Sequence, residues 1–190
     1  MSDFDLGSAV LTLARAAIAE KLGLGTPLDS LSDARLDERS ATFVTLKQGG
    51  GLRGCVGSLE ALRALRDDVR ANAVAAAFRD PRFAPLEASE LATTSLEVSL
   101  LSSEERIEVA SERELLAQLR PGVDGVILEY GGHRATLLPQ VWEHVHDPRA
   151  FVTALKHKAG LPEDFWSEDM LIRRYAAITW KEPDSALARA

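Results

Sequence analysis

Cys55 is the one cysteine of the chain, and it stands in Leu52-Arg53-Gly54-Cys55-Val56-Gly57, directly after Gly49-Gly50-Gly51. A thiol set among glycines is a candidate nucleophile: its thiolate attacks electrophiles, and glycine lets the backbone approach a ligand closely. An ordinary thiol near pKa ~8.5 is only about 3% ionised at pH 7, whereas one shifted to about 7 is half ionised. Arg53 and a helix expected to open soon after Gly57 would both push that way. An extended segment would place Arg53 and Cys55 on one face. Two other readings of Cys55 stay open beside the nucleophile: a small buried hydrophobe lining a turn, and a polar group of a non-covalent pocket.

A nucleophile needs a base, and the chain has four histidines. His133 opens an expected hairpin strand. His157 lies between Lys156 and Lys158, where a cationic helix C-terminus accounts for all three. His144-Val145-His146 would turn two rings to one side of a strand, but no third metal ligand is near, so the segment reads as a surface loop. In Asp80-Pro81-Arg82-Phe83 an acid and a base end a helix, and capping with a turn explains them. Gly49, Gly51 and Gly54 satisfy the spacing of a dinucleotide fingerprint, yet no helix can open within these glycines to meet a pyrophosphate. No Lys-Ser or Lys-Thr pair follows them, so a phosphate loop is excluded. Nothing here requires a cofactor.

Around these residues the chain has the makings of a soluble globular protein. Its 190 residues are 46% apolar and 27% charged, enough to build a core and too apolar for disorder. The formal charge of -7 opposes a phosphate backbone, and the aromatic residues do not cluster with Lys and Arg, so nucleic acid is not an expected partner. A single cysteine forbids an internal disulfide and any multi-thiolate cluster. The opening MSDFDLGSAV carries Asp3 and Asp5 where a secretory signal would carry Lys or Arg, and no apolar run approaches ~18 residues. The expected location is the cytoplasm.

The elements that must position the thiol follow from periodicity. Leu6, Val10, Leu13, Ala17 and Ile18 predict an amphipathic helix stopped at Gly23. A charged connection with a short helical turn occupies 24–40, and Ala41 to Leu46 predicts a strand entering the glycine turn. Ser58 is expected to cap a helix with the stripe Leu59, Leu62, Leu65, Val69, Ala73 and Ala76, ended by Asp80-Pro81. Leu96 to Leu100 alternates as a strand, and Ile107 to Val109 is a shorter candidate. Ser111 and Glu114 form a capping box for a helix to Leu119. Val123–Tyr130 and His133–Leu138 flank Gly131-Gly132 as a hairpin. Asp147-Pro148 starts a helix that stops at Gly160, and Leu171 to Lys181 predicts a terminal strand before a loose tail. Helices and hairpins without a strand-helix-strand rhythm imply α+β with antiparallel sheet.

Taken together, ATFVTLK, LRGCVG at 52–57, AAAFRDPRFAPL at 75–86, LEVSLL at 96–101, VDGVILEYGGHRATLLPQVW at 123–142 and LKHKAGL at 155–161 resemble the AMMECR domain family. Its bacterial and archaeal members are called AmmeMemoRadiSam system protein A. The resemblance runs in order over about residues 5–181. It implies a single domain over 1–182 of two unequal lobes, each an antiparallel sheet flanked by helices, with a cleft between them. The N- and C-terminal parts would build the large lobe, the small lobe would be inserted from the middle, and 183–190 would be a flexible tail. LRGCVG would line the cleft. The family's activity is unsettled, so the resemblance implies an enzyme or enzyme component of unnamed reaction class, or a non-catalytic module delivering a substrate. Partners in a shared pathway would be a Memo-like protein and a radical S-adenosylmethionine protein. In this scheme Arg53 orients an anionic group, amides around Gly54 and Gly57 donate hydrogen bonds, and Cys55 attacks or assists. Asp80, Arg82, Gln140 and Lys158 are further candidates because they sit in matching motifs. His133 and the His144–His146 pair match no family hallmark.

Overall fold

A computed structural model describes residues 3–25 and 31–183; the expected tail lies outside them save for Pro183. The chain divides into two units, Met1–Leu101 with Ile178–Ala190, and Ser102–Ala177. Each has an apolar core of its own, and each is built on an antiparallel sheet with helices, so the fold is α+β.

In the first unit α1 (Asp3–Lys21) buries Leu6, Val10, Leu13, Ala14, Ala17 and Ile18 along one stripe. Gly23, at φ 72°, closes it, with Gly23 N–H donating to Glu20 O and Leu24 N–H to Ala19 O. A 3₁₀ turn, Ala34–Asp37, leads into β1 (Arg39–Ser40) and β2 (Thr42–Gln48). Gly49 and Gly50, at φ 55° and 80°, turn the chain into β3 (Gly51–Gly57), a reversal whose two left-handed positions favour glycine. Then come β4 (Arg63–Ala64), which pairs with β1, and α2 (Leu65–Phe78).

The helix expected from Ser58 thus begins only at Leu65. Residues 58–64 are held otherwise: the Ser58 hydroxyl donates to Asp68 Oδ1 at 2.9 Å, and Arg63-Ala64 is bound to β1. The helix terminus invoked beside Cys55 is therefore not there, and its field falls off within one turn.

β5 (Thr94–Leu101) joins β2 on the side away from β3, and the sheet is completed by β10 (Ala177–Lys181), giving the order β10-β5-β2-β3. Thr42, Val44 and Leu46 of β2 and Leu96 and Val98 of β5 are fully buried, with Val69, Ala73 and Ala76 of α2 in the same core.

The second unit carries β6 (Glu105–Arg106), α3 (Glu112–Gln118), β7 (Gly125–Tyr130), β8 (His133–Leu137), α4 (Pro148–Lys158) and β9 (Leu171–Tyr175), with sheet order β6-β9-β7-β8. Gly131 and Gly132, at φ 54° and 86°, make the hairpin turn between β7 and β8. The short strand expected at 107–109 falls slightly earlier, at β6, while Ile107 N–H still bonds Ile172 O at 2.9 Å. The terminal strand expected over 171–181 is two strands in two sheets. They part at Ala176, whose N–H and C=O are both taken by Ser102, the residue after β5.

Candidate functional site

β3 is the outer strand of its sheet, so every second residue turns its N–H and C=O away from β2. Ser58 N–H bonds Thr42 O at 2.9 Å. Counting back in alternation places Val56 and Gly54 in the pairs bonded to β2, and Cys55, opposite Thr45, in a pair whose backbone groups face outward. Those groups are not left to solvent. Cys55 N–H donates to Asp80 Oδ2 at 2.9 Å, and Cys55 O accepts from Arg82 Nη2 at 3.4 Å. Side chains of the turn after α2 thus substitute for the next strand and seal the edge at the thiol.

The glycines around Cys55 have steric reasons. A Cβ on Gly54 would lie 2.2 Å from Ala76 O, so glycine lets β3 press against the backbone of α2. Its N–H belongs to the β2 ladder and does not face a ligand. A Cβ on Gly57 would lie 2.2 Å from Phe43 Cγ, so the aromatic ring occupies the room a side chain would need. The Gly54 amide is thus spent on the β2 ladder and is not the donor expected there, whereas Gly57, in step with Cys55, turns its N–H away from β2.

Register shifts between Leu46, opposite Gly54, and Lys47, opposite Leu52, so Arg53 is the extra residue of a β-bulge. The bulge re-aims its side chain. Arg53 Nε and Nη2 each bond a carboxylate oxygen of Glu90 at 3.0 Å, Nη1 donates to Ala84 O at 2.9 Å, and Nη2 reaches Pro85 O at 3.4 Å. Arg53 therefore fastens the 84–90 segment to β3, with its side chain only 13% exposed. This guanidinium, joined by the Glu87 N–H, holds the Glu90 carboxyl below the ordinary range.

Cys55 is half-buried, and its sulfur accepts a hydrogen bond from Thr45 Oγ1 at 3.4 Å. The cation beside this residue is Arg82, not Arg53. Asp80 Oδ1 accepts from Arg82 N–H and Nε, and Oδ2 accepts from Arg82 Nη2 at 2.6 Å. The pairing holds the Asp80 carboxyl well below the carboxylate range, despite burial, and raises Arg82, to which a Cys55 thiolate also contributes. Asp80 is 5% exposed while the Arg82 side chain is 53% exposed. The acid is the anchor and the guanidinium faces outward.

Beyond Gly57, Asp68 is fully buried and fully bonded: Thr42 N–H, Thr42 Oγ1, Asn72 Nδ2, Ser58 Oγ and Arg63 Nε and Nη2 all donate to it. This network holds the end of β3 to α2. Sequence reasoning passed over Asp68, Asn72, Glu90 and Thr45. Counting outward from the Gly49-Gly50 turn would pair Thr45 with Gly54, and only the bulge brings it opposite Cys55.

Gln140 and Lys158 belong to the second unit. Gln140 lies in a 3₁₀ turn, Pro139–Glu143, and Lys158 Nζ donates to Thr136 O at 2.9 Å. All four histidines are also in that unit, so the first unit offers Cys55 no imidazole of its own. His133 Nδ1 is bonded to Ala159 O at 2.8 Å. His144 and His146 are exposed just past the 3₁₀ turn. Lys156, expected at a cationic helix end, is instead buried, with Nζ donating to Glu112 Oε2 and Glu163 O. Among the described residues no group of three His, Cys, Asp or Glu side chains could hold a metal ion, and no helix is long and apolar enough to cross a membrane.

The sequence model of AMMECR1 matches residues 11–180. The chain belongs to the AMMECR1 family. A relative of this AMMECR1 protein in Methanothermobacter thermautotrophicus is 39% identical, over 94% of the chain and 95% of the relative. One in Sulfolobus acidocaldarius is 37% identical, over 94% and 82%. The crystal structure of an uncharacterised protein from Pyrococcus horikoshii superposes with a TM-score of 0.87 at 33% identity, covering 95% of the AMMECR1 chain and 93% of its own.

Proposed function

We propose that this AMMECR1 protein is a cytoplasmic enzyme, or a component of one, whose substrate meets it at the Cys55 stretch of β3. The observation that carries the reading is the pairing of a half-buried cysteine with a backbone held on both sides. β2 binds one edge of the strand and the Asp80–Arg82 pair covers the other at Cys55 itself. Such fixing presents a reactive atom without loop motion, as pre-organised chemistry requires. Cys55 supplies the sulfur that attacks or assists, and Asp80 positions it through the backbone.

A second reading has its own support. The sulfur's hydrogen-bond partner is a threonine hydroxyl, and among the described residues no carboxylate, amine or imidazole bonds it. That suits a non-catalytic module presenting a substrate to the Memo-like and radical S-adenosylmethionine proteins that the family resemblance brings in as partners. Co-expression with those two proteins separates the readings. Cys55→Ser that still assembles with them but abolishes pathway output supports the enzyme. Loss of assembly with the same variant supports the module, and unchanged assembly and output would sink both.

A further inference from the structure

Arg53, two residues before Cys55 on β3, and Arg82, bonded to the Cys55 carbonyl, are engaged differently. Each nitrogen of the Arg53 guanidinium is bonded to Glu90, Ala84 or Pro85, and the side chain is mostly covered. Arg82 differs. Its Nε and Nη2 hold Asp80, which fixes the plane of the guanidinium, while its Nη1 has no hydrogen-bond partner among the described residues. Phe83 supports it from one face, with its ring centroid 5.5 Å from Cζ. Asp80 is buried behind the guanidinium, so the outward side is the positive one. The carboxylate on the strand beyond Thr45, Glu97, is engaged by Lys47 at 2.7 Å and Lys181 at 3.8 Å and presents no unmatched negative charge.

We propose that the Nη1 edge of Arg82 receives an oxyanion of the substrate, so that the substrate class is a small anionic electrophile held with its reacting centre towards the Cys55 sulfur. A planar guanidinium already fixed by a bidentate partner loses little freedom on binding a carboxylate or phosphate oxygen. The cation that the chain order suggested for this task, Arg53, is spent on structure. The inference rests on the reading that Cys55 meets the substrate, and it adds which residue chooses the charge.

The test uses two alkylating probes of one reaction. In both, the thiolate displaces iodide, an S–C bond forms and the thiol proton goes to buffer. Only iodoacetate carries a negative charge; iodoacetamide is neutral. Rate constants for both are measured on the folded protein at low ionic strength by intact mass, and their ratio is divided by the same ratio for 2-mercaptoethanol. The expected normalised ratio favours iodoacetate by about two- to fivefold, about fivefold being the ceiling for opposite unit charges about 4 Å apart in water, because Asp80 offsets part of the Arg82 charge. It falls towards one in 0.5 M salt and in Arg82→Gln, and persists in Arg82→Lys. The salt series on the unaltered protein still discriminates where Arg82→Gln folds poorly. A ratio of one or less at low salt, or a raised ratio indifferent to Arg82→Gln, overturns the inference while leaving a reactive Cys55 in place. Failure of both probes to label the folded protein overturns the inference together with the reading beneath it.

Discussion

At the scale of single residues, the glycine-rich stretch separates into distinct physical tasks. Gly54 is required by contact, because an added Cβ would meet Ala76 O at 2.2 Å and neither backbone can yield cheaply. Gly54→Ala is expected to lose about 1–3 kcal/mol in urea unfolding. Changes at Gly50 meet open space and act only through its φ of 80°. The closeness of a cation to Cys55 was legible from its neighbours in sequence. Which arginine supplies it was not. A bulge inserts Arg53 out of alternation, and the turn after α2 returns Arg82 to the strand from a distance in sequence that periodicity does not register.

At the scale of elements, β3 is an edge strand completed by side chains, and its integrity depends on carboxylates. Asp80 and Glu90 both have acidities strengthened chiefly by arginine hydrogen bonds, Arg82 for the first and Arg53 for the second. A folded-state pKa below the unfolded one means that the unfolded chain binds protons first as pH falls. The stability these groups contribute is therefore present at neutral pH, above the ordinary carboxylate range near ~4, and is lost as pH drops towards their depressed folded values. Asp80→Asn should lower stability at pH 7 by about 1–3 kcal/mol, since its exposed partner remains solvated, and should flatten the acid limb measured by urea unfolding from pH 7 to 3. The same variant should speed hydrogen exchange at the Cys55 amide, which loses its charged acceptor. Unaltered exchange there would mean that the carboxylate does not seal the edge. Most elements were legible from spacing because local signals agree with the fold: the Gly131-Gly132 hairpin, the Asp147 cap and the α1 stripe. The α2 start was misplaced because Ser58, a good capping residue, serves the buried Asp68 network instead.

At the scale of the molecule, the chain leaves the first unit after Leu101 and returns to it at Ile178. The returning strand is bound into its core: Trp180 fills the space beside Gly7, Glu182 N–H bonds Leu96 O, and the Glu182 carboxylate is gripped by Arg15. Ending the chain at Ala176 should strip protection from α1 and β5 in hydrogen exchange while β7 and α4, with a core of their own, keep theirs. Equal protection of α1 and β5 in both proteins would contradict this assignment of β10. No periodicity could divide 171–181 between two sheets, because both halves are strand-like and the break at Ala176 is set by Ser102. The central claim, a fixed and reachable thiol at the sealed edge of β3, is tested most directly by iodoacetamide labelling of the folded protein followed by intact mass, where one cysteine gives one unambiguous adduct. A single adduct is expected under native conditions, formed at a rate comparable to or faster than that of a free thiol. Labelling only after unfolding would contradict the claim and leave Cys55 a packing residue.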